Sequence, residues 1–236
     1  MTKYTQIAND IRTQIVKGVL QANEQLPFEK DLCIKYNASK MTVKKALDIL
    51  VAEGLIVKRR GSGTFVKSIS NIDMNRLLVS NQFRGLTALY SDRKVTSTLI
   101  TFDVVSSNEE VTQKLNLESE EFVYNLLRVR YVDEEPYVIE HTFMPINLIP
   151  GLRKQHTMAS IYSYIEADLG LKVQSSHRTI RVRKSNELEQ KYLKLKADDP
   201  VAVVEQVAYL ENGTAFEYSI SIHRYDRFAF ETVIVR

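Results

Sequence analysis

Two sets of charged residues in this 236-residue sequence stand where ordinary packing would not place them. The first lies in Ser39-Lys40-Met41-Thr42-Val43-Lys44-Lys45-Ala46-Leu47-Asp48-Ile49-Leu50. Helical spacing puts Val43, Ala46, Leu47 and Leu50 on one apolar stripe and Lys40, Met41, Lys44, Lys45 and Asp48 on the opposite arc. Ser39 suits an N-cap. Lysines in the first two turns oppose the helix dipole, so a polyanion outside the chain would compensate them; a merely solvated lysine face is the bland alternative. The second set is Arg128 and Arg130, two apart in Leu-Leu-Arg-Val-Arg-Tyr and therefore on one face of a strand. Like charges side by side on an apolar strand are costly unless an anion holds them. Glu140 and Glu217 pose the same problem with opposite sign. Either these charges pair across a sheet, or the arginines clamp a phosphate or carboxylate while the glutamates accept hydrogen bonds from ligand hydroxyls or an amine.

Composition bounds what else the chain can do. It is 44% hydrophobic and 26% charged, typical of a soluble globular protein. Its apolar runs are too short for a membrane span, and Met-Thr-Lys-Tyr-Thr-Gln-Ile at the start is no signal peptide. One cysteine, Cys33, excludes an internal disulfide framework and fits a reducing cytoplasm. The histidines 141, 156, 177 and 223 lack metal-ligand spacing, so no metal or cofactor is expected. Residues 1–68 carry 12 Lys+Arg against 6 Asp+Glu, a net of +6, while the remainder nets −3. A basic head joined to a larger, mildly acidic body is a two-part design.

The elements that must position these charges follow from periodicity. Tyr4, Ile7, Ala8, Ile11 and Ile15 predict a helix that Gly18 ends. Leu26-Pro27 breaks the chain, and Glu29–Tyr36 forms a short helix with Leu32 and Cys33 inward. The lysine helix follows to about Gly54. Leu55–Lys58 and Thr64–Val66 predict two strands around the basic hairpin Arg59-Arg60-Gly61-Ser62-Gly63, whose glycines permit φ > 0. This order is that of a helix-turn-helix with a wing able to lie along a phosphate backbone or in a minor groove. Residues 69–80 read as a linker, and 81–236 as a second domain. In it, strands are predicted at Ser97–Val105, Phe122–Val132, Tyr137–Phe143, Ser175–Val182, Val201–Tyr209, Thr214–Tyr225 and Phe228–Val235. Helices are predicted at Asn108–Leu115, entered from Ser106-Ser107, and at Ser160–Leu169 and Ser185–Leu193. Consecutive strands with helices between them indicate an antiparallel α+β domain.

Residues 4–66 resemble the winged helix-turn-helix of GntR-type bacterial regulators, through Tyr4-Thr5-Gln6-Ile7-Ala8, LPFEKDL at 26–32, SKMTVKKALDILVAEGLI at 39–56 and RRGSGTFV at 59–66. The resemblance implies contact with DNA at Lys30, Ser39, Lys40, Met41, Thr42, Lys44, Arg60 and Gly61, and the cationic neighbours Lys45 and Arg59 extend that set. The family commonly has arginine at positions 30, 40 and 44. Lysine lacks the fork that binds guanine bidentately, so more weight is expected on phosphate contacts and the wing.

From about residue 80 the chain is similar to the effector-binding (UTRA-type) domain of the HutC branch, which shares its fold with chorismate lyase. The carriers are Leu126-Leu127-Arg128-Val129-Arg130, Ile139-Glu140-His141-Thr142, the stretch 160–165, Glu217-Tyr218-Ser219 and 223–228. Members with this pattern bind small anionic metabolites, often phosphorylated sugars. Carried over, the ligand set is Arg128, Arg130, Glu140, Ser160, Glu217 and Tyr225, with Gly85, Leu86 and Thr87 as a loop. The expected protein is a cytoplasmic homodimeric repressor whose operator binding is relieved by such a metabolite. A non-sugar carboxylate effector, a lyase-like enzyme and a nonspecific nucleic-acid binder are the competing readings. No nucleophile–base set supports the enzyme. The aromatics Tyr4, Phe28, Tyr36 and Phe65 sit at core-like or turn positions, which disfavours base stacking on RNA.

Overall fold

The computed structural model describes residues 2–68, 86–90, 92–230 and 232. They form two compact units; residues 69–80, expected to be a linker, lie outside the described residues.

In the first unit, helices α1 (Lys3–Val16), α2 (Glu29–Tyr36) and α3 (Lys40–Ala52) precede the hairpin β1 (Ile56–Arg59) and β2 (Gly63–Val66). The periodicity of each helix is realised in its burial. Ile7, Ala8, Ile11 and Ile15 of α1 meet Leu32 of α2, Val43, Ala46, Leu47 and Leu50 of α3, and Leu55, Ile56 and Val66 in one core. Asn37, in the left-handed conformation, caps α2 and turns the chain into α3. Arg12 of α1 holds Glu53 at the end of α3 through two hydrogen bonds of 2.8 and 2.5 Å.

The second unit is built on a six-stranded antiparallel sheet of order β3-β4-β5-β8-β7-β6. Its strands are β3 (Val95–Ser106), β4 (Phe122–Val132), β5 (Glu135–Pro145), β6 (Val173–Lys184), β7 (Pro200–Leu210) and β8 (Ala215–Arg224). Two three-stranded meanders thus meet at β5 and β8. Interspersed are α4 (Leu86–Leu89), α5 (Glu109–Leu115), α6 (Lys154–Met158), α7 (Ile161–Ser163), a π-helical turn (Tyr164–Asp168) and α8 (Glu187–Leu193). One sheet face buries Val129, Ile139, Val201 and Ile222 with Leu193 of α8, and Val123, Val207 and Tyr218 with Val111 and Leu115 of α5. At one end of the opposite face, Leu126, Met144 and Ala208 cluster with Ile149, Leu152, Ile161 and Ile165.

Several expectations need correction. The helix after β3 begins one residue later than expected, at Glu109, because Asn108 is its cap and accepts from Val111 N at 2.9 Å. The strand expected at Phe228–Val235 is not found in Phe228–Phe230 or Thr232, and its other residues lie outside those described. β8 ends at Arg224, where the Arg224–Asp226 pair (2.7 Å) folds the chain into a turn, and β5 and β7 already flank β8 on both sides. The helix at Ser160–Leu169 is a short α-turn that widens into the π-turn. α4 and α6 are too short to leave a periodic signal.

Candidate functional site

Helix α3 presents Lys40, Lys44 and Lys45 on the side away from the core. Ser39 Oγ accepts from Thr42 N at 3.2 Å and fixes the start of the helix, whose first turn contains no acid. Lys30, Lys40, Met41, Lys44, Lys45, Arg59, Arg60 and Gly61 are exposed, Met41 by 73%. An open hollow lined by Tyr4, Met41, Thr42, Lys44, Lys45 and Asp48 lies on this side. Not all of these cations are equally available. Lys45 Nζ stands 4.1 Å from the centre of the Tyr4 ring, and the Arg59 guanidinium lies over Phe65 at 4.8 Å. Lys58 pairs with Asp48 of α3 at 2.6 Å and ties the wing's base to the helix.

The wing also depends on a residue that sequence reasoning missed. Gln25 donates to Ser62 O at 2.8 Å and bridges to Phe65, bracing the hairpin from outside. Gly63, at φ +121°, sits against that amide, and a side chain there would collide with Gln25. Gly61 has φ +76° with open space around it, so the tip can approach another backbone closely.

In the second unit the strand register assembles the other charges on one sheet face. Arg128 lies directly opposite Glu140, and Glu140 opposite Ser221. Arg130 lies opposite Val138, and Val138 opposite His223. One row further the other way, Ser219 pairs with Gln206 and Gln206 with Arg178.

The two arginines have different surroundings. Arg128 donates from Nε to Glu140 Oε2 at 2.8 Å, from NH1 to Thr157 O, and more weakly to Ala159 O at 3.4 Å. Its NH2 is also 2.7 Å from Glu140. For this pair the cross-strand alternative holds. Arg130, only 2% exposed, donates from NH2 to Thr87 Oγ1 at 2.6 Å and stands 3.8 Å from Glu140. Its Nε has no partner. Among the described residues, Arg130 Nε and His223 Nδ1 are the buried side-chain atoms left without a hydrogen bond. Their residues share one row of the sheet, with backbones two strand spacings or roughly 10 Å apart and Val138 between them. Orphaned polar atoms of this kind call for an explanation.

Burial lowers the Arg130 guanidinium to about 10 against the pull of Glu140, so it stays charged at neutral pH. Burial pushes Glu140 up, but Arg128 and then Arg130 hold it below its ordinary value. His223 is driven down to about 4 by burial and is neutral at pH 7. Glu217 differs from Glu140. Its Oε1 accepts from Tyr162, Ser219 and Gln206 at 3.0, 3.0 and 3.1 Å, yet burial still raises its pKa. A raised native pKa favours folding below the unfolded value and loses that gain as pH climbs through the native one. Burying this carboxyl therefore counts against folding once the pH is high enough to ionise it in the unfolded chain. Glutamine can supply the same Oε1, so Glu217→Gln is expected to raise the melting temperature at pH 7 by a few degrees, an advantage that shrinks towards pH 4. A lower melting temperature at pH 7 would contradict this account of Glu217.

Of the expected ligand residues, the structure joins Thr87, Arg128, Arg130 and Glu140 directly. Ser160 caps α7 through Ser163 N, next to the Ala159 carbonyl that Arg128 reaches. Leu86 packs with Val132 and Val138. Tyr225 stands half exposed in the turn after β8, outside the strand expected to carry it. Gly85 lies outside the described residues. Gln206, Ser219, Tyr162, Arg178 and His223 were missed. The period-two polar row Glu217, Ser219, Ser221, His223 was the signal available for β8.

Comparison with known proteins places both units. Residues 3–66 match the model for bacterial regulatory proteins of the gntR family, and residues 91–229 match the UTRA domain. The chain is 43% identical to the HTH-type transcriptional regulator GmuR of Bacillus subtilis (strain 168) over 236 residues, covering all of both chains. It is 30% identical to the mannosyl-D-glycerate transport/metabolism system repressor MngR of Escherichia coli (strain K12), covering 99% of this chain and 96% of that one. The crystal structure of possible transcriptional regulator YydK from Bacillus subtilis subsp. subtilis str. 168 superposes with a TM-score of 0.78 at 31% identity, covering 100% of each chain.

Proposed function

Because the chain belongs to the gntR family of bacterial regulatory proteins and carries a UTRA domain like the HutC-type regulators, we propose that it is a repressor released from its operator by a phosphorylated sugar. The observation that carries the effector half of this reading is the buried, charged Arg130 with an unsatisfied Nε beside the Thr87 hydroxyl. A phosphate oxygen at that nitrogen would complete it with a charge-assisted bond. The sugar would run along the row towards His223, and its hydroxyls would meet the neutral imidazole. A repressor of a mannosyl-D-glycerate system among the relatives supports a carbohydrate over a simple carboxylate. The site binds its ligand and does not transform it, in the cytoplasm that a single free cysteine suits.

For the DNA half, we assign the backbone grip to Lys30, Lys40, Lys44 and Arg60, with Ser39, Met41, Thr42 and Gly61 close to the groove. Lys45 and Arg59, each stacked on an aromatic ring, supply field more than contact. Residues 69–80 are assigned as the connection through which effector binding alters the spacing of two DNA heads. The 27.2 kDa chain should run as a homodimer on a pseudo-palindromic site, since one short helix and a wing bury too little surface for specific affinity. Sedimentation with and without a labelled operator tests that point: two copies per duplex are expected, and a stable monomer on a single half-site would refute it. The enzyme alternative is separated by pairing a chorismate lyase assay with a melting scan. Ligand-induced stabilisation without turnover is the expected result.

A further inference from the structure

Tyr90 and Tyr137 are absorbed by none of the roles above, yet they join the segments that border the Arg130 site. Helix α4 carries Thr87, and the chain leaves it through Tyr90. Tyr90 OH donates to Tyr137 OH at 2.8 Å, and Tyr137 OH donates onward to Arg227 O at 2.8 Å. The two rings meet edge to face at 5.4 Å. The Arg93 guanidinium lies over the Tyr90 ring at 5.4 Å and is itself held by Asp133 at 2.6 Å in the β4–β5 turn. Tyr137 also packs edge-on to His223 at 6.3 Å, and His223 lies 4.9 Å from Phe228. Burial keeps the Tyr137 phenol protonated and able to donate. Leu86 anchors the start of α4 among Val132 and Val138. One end of this four-residue helix is therefore fixed by packing and the other by a relayed hydrogen bond, with Thr87 held between them.

Thr87 matters because of what its hydroxyl has left to give. It accepts from Arg130 NH2 at 2.6 Å, and among the described residues its own hydrogen meets no other acceptor. Arg130 Nε–H is likewise unused. An anion entering here would take both donors, but only while Thr87 keeps its place, and small misplacements of such groups are expensive. We infer that Tyr90 and Tyr137 are positioning residues for anion binding, their hydrogen bond setting the Thr87 hydroxyl beside Arg130. This rests on the reading of Arg130 as the anion anchor.

The test uses the full-length protein and calorimetric titration with glucose 6-phosphate and, separately, inorganic phosphate. Tyr90→Phe and Tyr137→Phe each remove one oxygen. Each is expected to raise Kd about three- to tenfold, the loss of roughly one neutral hydrogen bond. A role in stability alone would move the melting temperature and leave Kd in place. The decisive arm is the double variant: in a Thr87→Val background, Tyr90→Phe should add nothing further to Kd, since its effect runs through that hydroxyl. Additive losses, or a wild-type Kd in both phenylalanine variants while Arg130→Ala abolishes binding, would overturn the positioning role and leave the anchor standing. Failure of both probes to bind the wild type, or wild-type affinity in Arg130→Ala, would overturn the anchor and this inference with it.

Discussion

Replacing Arg130 with alanine should give a protein that binds its operator normally and no longer releases it when the effector is added. The guanidinium is buried and charged, and its Nε–H has no partner, so that donor is available to a ligand. Removing one partner of a desolvated charge pair costs about 2–5 kcal/mol, or roughly thirtyfold or more in affinity. Arg128→Ala should behave differently although the two residues are only two apart. Arg128 is already engaged by Glu140 and by the carbonyls of Thr157 and Ala159. Its loss would strand Glu140, and breaking such a pair costs stability of about 3–5 kcal/mol. The melting temperature should therefore fall well below that of Arg130→Ala. Equal stability in the two variants, or retained induction in Arg130→Ala, would show that the asymmetry has been misassigned.

The second large effect is electrostatic. If about six to eight phosphates are neutralised by the dimer, log K should fall against log [salt] with a slope of about −5 to −7. Lys44→Ala, present twice in a dimer, should weaken binding to matched and mismatched operators alike and make that slope shallower by roughly two. Lysine contacts the backbone as a point charge, whereas a forked guanidinium reads guanine. Lys40→Arg and Lys44→Arg should accordingly sharpen preference at guanine positions in a base-substitution scan. Unchanged specificity in both, or a salt slope near zero, would remove the argument that α3 grips more than it reads.

The contrast between the two units shows what a sequence can display. In α3 a period of 3.6 separates Val43, Ala46, Leu47 and Leu50 from the lysines, so local order alone exposed the fold and the charged face. The Arg128–Glu140 pair was legible as one of two alternatives, because alternation fixes which face a residue takes but not which strand lies beside it. That choice depends on the β4–β5 register, a nonlocal property. Gln25, Gln206 and Tyr162 were hidden for the same reason, since their hydrogen-bond partners lie 37, 11 and 55 residues away. Tyr225 closes the expected strand Thr214–Tyr225, whereas β8 ends at Arg224 and the Arg224–Asp226 pair puts Tyr225 in the turn that follows.

The central claim is that one chain couples an operator-reading helix to an anion site centred on Arg130. It is tested most directly by following a fluorescent operator bound to the wild-type protein while phosphorylated sugars are added one at a time, with the parent unphosphorylated sugars as controls. The account predicts saturable release by a phosphorylated sugar, none by its parent, and none from Arg130→Ala. Release by the parent sugar at the same concentration, or no release by any phosphorylated sugar, would contradict it.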